Sequence, residues 1–240
     1  MKTVFITGID TDTGKSIVTG MIAKFLRSQG VNVITQKLIQ TGCKGISEDI
    51  ITHRQLMNID LQPEDTNGTT CPIVFSYPCS PHLAAEIDSR NIELQPIQES
   101  TKKLESAYDM VLLEGAGGVM VPITRSYYTA DYIADNKLPA ILVTSPKLGS
   151  INHTILSLEA LWNRNIEVIG VVYNKYPNSS SKITDDTLQV IADFIHQRGK
   201  SIPIVSMEDM TSNILPNFSD FKLQENCQQS HTNNHNCSDK

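Results

Sequence analysis

The chain has 240 residues, 40% of them hydrophobic, and a formal net charge of −6. That length and apolar content suit a single domain with a substantial core. The acidic balance, with no basic block, argues against a nucleic-acid partner, and no apolar run reaches the ~18–20 residues a membrane span requires.

The first apolar run, residues 4–7, reads as a strand and leads into Gly8-Ile9-Asp10-Thr11-Asp12-Thr13-Gly14-Lys15-Ser16. Because residues 1–6 run straight into this loop, no cleavable signal peptide is expected. A helix follows over residues 15–28, with Val18, Met21, Ile22, Phe25 and Leu26 on one face and Gly30 at its end. Further strands are predicted at 31–37, 110–114, 140–144, 168–173 and 204–205, and further helices at 47–57, 96–107, 152–162 and 183–197. Several strands are unbroken Val/Ile/Leu runs, as in parallel strands buried on both faces. The alternation predicts an α/β fold: one P-loop NTPase-like, doubly wound domain with a mostly parallel sheet and helices on both faces. Residues 61–81 are turn-rich and offer no clear element. From residue 217 the chain turns rich in Asn, Gln, Ser and His, so the domain is expected to span 1–216 and a disordered tail 217–240. Cys227, His231, His235 and Cys237 have zinc-compatible spacing, but a scatter within a polar tract explains them better. The five cysteines are odd in number and include no CxxC pair, which suits a reducing, cytoplasmic setting.

The glycine-rich turn after the first strand has the makings of a phosphate cradle. Glycines permit close backbone approach, the following helix offers its positive end, Lys15 supplies a charge and Ser16 a hydroxyl for Mg2+. Five residues separate Gly8 from Gly14, where the common phosphate-loop pattern has four. The partner segment is Glu114-Gly115-Ala116-Gly117-Gly118, a carboxylate at the end of a buried strand followed by a flexible turn. Lys37, at the end of the second strand, is expected in the same crevice as Lys15. Two lysines there suit phosphoryl transfer to an anionic acceptor.

These segments resemble those of the dethiobiotin synthetase family. So do Lys37 with Thr41-Gly42, Ser80-Pro81-His82-Leu83-Ala84-Ala85, and Lys147-Leu148-Gly149-Ser150-Ile151-Asn152-His153-Thr154. The five-residue gap is that family's own form, and the resemblance covers residues 1 to about 210. It implies ATP-dependent closure of 7,8-diaminononanoate and CO2 into a cyclic urea, through a carbamate and a carbamic-phosphoric anhydride. It further implies Lys37, Lys15 and Thr11 as catalytic residues. ATP would lie against Asp12, Thr13, Gly14, Lys15, Ser16 and Ile17, with Asp49, Glu114, Gly115, Ala116 and Gly117 facing it and Asn174 reading the base. Mg2+ would be held by Ser16, Asp49 and Glu114, with Glu48 as the alternative to Asp49. Thr41, Gly149, Ser150, Ile151 and Asn152 would hold the substrate, the last four from the neighbouring subunit of a homodimer. Residues 203–209 depart from the family's pattern at the base pocket. Two rival readings are a nucleotide-switch ATPase acting on DNA or membranes and a carboxylate-phosphorylating amidoligase. The first lacks its second loop lysine here, and the second normally carries a glutaminase domain for which the chain is too short.

Overall fold

The computed structural model describes residues 2–176, 180–208 and 215–223. In chain order the strands and helices are β1 (Thr3–Gly8), α1 (Lys15–Ser28), β2 (Val33–Lys37), β3 (Gln40–Thr41), α2 (Glu48–Met57), α3 (Pro63–Thr66), β4 (Val74–Phe75), α4 (Pro81–Ile87), α5 (Gln95–Ala107), β5 (Met110–Gly118), β6 (Pro122–Thr124), β7 (Tyr127–Tyr128), α6 (Thr129–Asp135), β8 (Ala140–Thr144), α7 (Ser150–Trp162), β9 (Val168–Asn174), α8 (Ser181–Gln197) and β10 (Ile204–Met207). Six strands form one parallel sheet in the order β10-β9-β8-β1-β5-β2. The predicted doubly wound α/β fold is therefore present.

Alternation of side chains along the strands separates two cores. Phe5, Leu113, Val171 and Tyr173 face one side, where α5, α6, α7 and α8 cover them. Val4, Ile6, Leu112 and Val172 face the other, against the apolar stripe of α1. The strands are buried on both sides, which is why they read as continuous apolar runs rather than alternating ones. Gly20 lets α1 and α2 pack closely, since a Cβ there would meet Leu56 Cβ at 2.9 Å.

From β1 the chain moves outward to β2, returns to β5, then crosses to β8 on β1's other side and continues outward to β10. The order thus reverses around β1, and the C-terminal edge of the strands at such a point is where open α/β sheets bind ligands.

Two expectations need correction. Residues 61–81 contain α3, β4 and the start of α4, and β4 pairs with β3. Such short elements leave little periodic signal. The polar tail does not begin at 217. Phe218, Phe221 and Leu223 are buried against the α1 face, with Phe218 edge-on to Phe25 at 5.8 Å and Phe221 above Gly170. Each such burial contributes roughly 1.5–3 kcal/mol before ordering costs, enough to anchor a short segment that is otherwise polar. The candidate zinc residues Cys227, His231, His235 and Cys237 lie outside the described residues.

Candidate active site

The loop between β1 and α1 is the candidate phosphate cradle, and its Thr11, Asp12 and Gly14 line a cleft. Gly14 stands at the helix start with φ +84°, and a Cβ there would overlap the Asn174 amide, so glycine is required on both counts. Asp12 also takes a left-handed conformation, φ 58°, which Asp tolerates better than most residues. No side chain caps α1, which leaves its first-turn amides to an anion. Lys15 folds back over the loop, its Nζ donating to the Asp10 carbonyl at 2.7 Å. Burial, and then the nearby positive charge of Lys37, push its ammonium down to about 8.

Beneath the cradle lies a cluster of charges. Lys37 and Glu114 are directly paired in register between β2 and β5. Lys37 Nζ donates to Glu114 Oε1 at 2.7 Å and to the Gly115 carbonyl at 3.0 Å, and lies 2.6 Å from Asp49 Oδ2. Asp49 sits in the first turn of α2, whose start is capped by the Ser47 hydroxyl accepting from the Ile50 amide. Ser16 Oγ is 2.9 Å from both Asp49 Oδ1 and Glu114 Oε1. Burial alone would raise the Glu114 carboxyl. The charge of Lys37, followed by the hydrogen bond and charge of His53, overrides it and holds the group well below the usual carboxylate range. Burial likewise opposes the Lys37 charge, but Glu114 and Asp49 outweigh it and keep the ammonium above its ordinary value.

The Ser16 hydroxyl is thus within hydrogen-bond reach of both the Asp49 and the Glu114 carboxylates, which gathers three hard oxygens at one point. Among the described residues no group of three or more His, Cys, Asp or Glu side chains is arranged to hold a metal. Two carboxylates and a hydroxyl still suit Mg2+, which usually takes only one or two carboxylates and completes its shell with phosphates and water. Glu48 is exposed and does not line the cleft described next, whereas Asp49 does.

A cleft of about 340 Å³ opens above this cluster. Thr11, Asp12, Gly14, Lys15, Ser16, Ile17, Lys37, Thr41, Asp49, Glu114, Ala116 and Gly117 all line it, as do Ile39 and Gln40, which sequence reasoning did not single out. Gly115 contributes its carbonyl to Lys37 from beneath. Thr13 and Asn174 are buried behind the loop, where the Asn174 amide donates to the Thr13 carbonyl at 3.0 Å and braces the cradle. At the departing segment, Glu208 pairs with Lys175 at 2.6 Å.

Gly149, Ser150, Ile151 and Asn152 do not line this cleft. They form the start of α7, with Gly149 at φ 92° and Asn152 exposed. They stand beside a second depression of about 350 Å³, whose walls include Asp10, Val119, Met120, His153 and Leu156. His153 Nδ1 lies 3.9 Å from Asp10 Oδ2.

Sequence reading also missed His53, fully buried, whose Nε2 is 2.8 Å from Glu114 Oε2. A signal existed: Asp49 and His53 are four residues apart on α2 and so share a face.

A family model described as an AAA domain matches residues 2–208. The ATP-dependent dethiobiotin synthetase BioD 2 of Haemophilus influenzae is 60% identical over 176 residues, covering 73% of this chain and 92% of that protein. The BioD 2 protein of Pasteurella multocida, under the same name, is 52% identical over 82% of this chain and 92% of its own length. The ATP-dependent dethiobiotin synthetase BioD of Chlorobaculum tepidum is 50% identical over 81% of each chain.

Proposed function

The chain belongs to the ATP-dependent dethiobiotin synthetases, and from that premise we propose that its cleft phosphorylates a carbamate of 7,8-diaminononanoate and closes it into a ring. The enzyme is an ATP-dependent cyclo-ligase of biotin biosynthesis. The observation that carries the reading of the site is the convergence of Lys15, Lys37, Ser16, Asp49 and Glu114 on one cleft that also holds Thr11 and Thr41.

One amine of the substrate takes up CO2 and loses a proton to give a carbamate. A carbamate oxygen attacks the γ-phosphorus of ATP, and the bond to ADP breaks. The second amine then attacks the carbonyl carbon of the mixed anhydride and gives up a proton to solvent, and phosphate leaves with the carbamate oxygen. Lys37 neutralises the carbamate and the phosphoryl oxygens as charge passes between them, and Lys15 holds the β- and γ-phosphates. Thr11 orients the carbamate, and Thr41 the amine end. Asp12, Gly14, Ser16, Ile17, Ala116 and Gly117 would surround the polyphosphate, with Thr13 and Gly115 supporting them from behind, and the base is assigned to Asn174 by the family resemblance alone. Mg2+, held by Ser16, Asp49 and Glu114, would neutralise phosphate charge.

The carboxylate end of the substrate lacks a partner in the same cleft. The uncapped start of α7, with Gly149, Ser150, Ile151 and Asn152, has suitable amides. Exposed Leu148, Leu156 and Met120 around it favour a homodimer that brings this helix start to the neighbouring cleft. A cytoplasmic location rests on the scattered cysteines, of which Cys43, Cys71 and Cys79 are free thiols.

The test is phosphate release by purified enzyme. Release should require the diamine and bicarbonate together with Mg2+ and ATP. Equal ATP cleavage with either one omitted would overturn the assignment.

A further inference from the structure

Glu114 has two carboxylate oxygens, and the fold treats them differently. Oε1 meets Ser16 and Lys37 at the floor of the cleft. Oε2 meets only His53 among the contacts described for it, at 2.8 Å. Behind His53 runs a buried chain of polar groups. His53 Nδ1 lies 3.0 Å from Thr35 Oγ1, and Thr35 Oγ1 accepts from Arg54 Nη1 at 2.8 Å. Arg54 Nε and Nη2 donate to the two oxygens of Asp65, each at 2.8 Å. Asp65 also accepts from the Thr70 hydroxyl and the Gln62 amide.

The chain has a direction. A guanidinium can only donate. With Arg54 donating into the Thr35 oxygen, the single hydroxyl proton is free for His53 Nδ1. An accepting Nδ1 places the imidazole proton on Nε2, where it faces a carboxylate that can only accept. The opposite neutral tautomer would set two lone pairs against each other at 2.8 Å.

We propose that His53 is a positioning residue for Glu114: its Nε2–H holds Oε2 out of the cleft, so that Glu114 offers Oε1 alone to the cation. The inference rests on the reading of the cleft as a Mg2+–ATP site. Hydrogen-bonded partners one step behind a metal-binding carboxylate orient it, and losing one typically costs ~10–100-fold in metal affinity or activity.

The test uses the intact enzyme. His53→Phe keeps bulk and removes the donor, His53→Gln restores an N–H near the Nε2 position, and His53→Asn restores only the Nδ1 side. In His53→Phe the Mg2+ concentration for half-maximal turnover should rise by ~10–100-fold, and calorimetric binding of ADP should need correspondingly more Mg2+. His53→Gln should recover most of both, and His53→Asn neither. A purely structural role would instead lower thermal stability and the active fraction with the Mg2+ midpoint unmoved, and that result would overturn the proposal. A wild-type readout covers the case in which the variants do not fold. Histidine 15N spectra should show His53 protonated at Nε2, and a bare Nε2 would overturn it equally. Absence of Mg2+-dependent turnover in the wild-type enzyme would instead sink the reading of the site itself.

Discussion

Lys15 gives the sharpest quantitative consequence of the site. Its ammonium is pushed from 10.5 down to about 8, by burial first and then by Lys37, against the opposing pull of Glu114, Asp49 and Asp10. A polyphosphate bound in the cradle needs Lys15 charged. Above pH 8, binding must therefore take up a proton. At pH 9 the penalty is about one pKa unit, or ~1.4 kcal/mol, so affinity for a non-hydrolysable ATP analogue should be about tenfold weaker than at pH 7. Nucleotide phosphates, with a second pKa of ~6, are about nine-tenths ionised at pH 7 and fully so at pH 9, so they change the comparison by at most about 0.1 proton. Isothermal calorimetry in buffers of differing ionisation heat should report uptake of about 0.9 proton at pH 9 and about 0.1 at pH 7. In Lys15→Arg the charge is fixed, so the pH dependence should vanish even if affinity drops. The free enzyme carries the same linkage. Between about 8 and 10.5 the unfolded chain binds the Lys15 proton and the folded chain does not, so this group makes the fold more stable as pH rises through that window. An affinity equal at pH 7 and pH 9, with no proton uptake at either, would refute the reasoning.

Other outcomes follow from the same geometry. Lys37→Ala should lower kcat by ~100–1,000-fold while ADP affinity changes far less, since Lys37 meets charge that shifts during the reaction; near-normal turnover would remove it from the chemistry. Ending the chain after Leu223 should leave folding and activity intact. Ending it after residue 216 should lower Tm measurably, because Phe218, Phe221 and Leu223 leave the α1 face; equal melting of the two truncations would contradict that packing. For the shared site, Lys37→Ala and Asn152→Asp chains should each be inactive alone. Their equimolar mixture should recover about a quarter of wild-type activity by counting intact composite sites in a two-fold dimer. No recovery despite proven subunit exchange would place the whole site in one chain.

How much of this could be read from the chain depends on how each feature is encoded. The strands were legible because both their faces are buried, so Val4 to Ile6 and Val111 to Leu113 are unbroken apolar runs. The phosphate loop and Glu114 were legible because their residue types are tied to backbone geometry: Gly14 needs its positive φ, and Glu114 ends the apolar part of β5. The α3–β4 excursion was not, since elements of four and two residues show no period. Phe218 and Phe221 were lost in a polar tract because two aromatics suffice when a groove beside Phe25 receives them. His53 was missed for a different reason. A histidine on a helix carries no mark of its role until Thr35 and Glu114, from two other strands, are brought to its two nitrogens.

The central claim is that a carbamate oxygen of this enzyme's substrate attacks ATP and leaves as part of phosphate. Enzyme, diamine, Mg2+ and ATP should be supplied with 18O-labelled CO2 in a reaction short enough to outrun exchange with water, and the released phosphate analysed by mass spectrometry. One labelled oxygen per phosphate is the predicted result. Phosphate carrying an oxygen from solvent, with label retained in the organic product alone, would contradict the account.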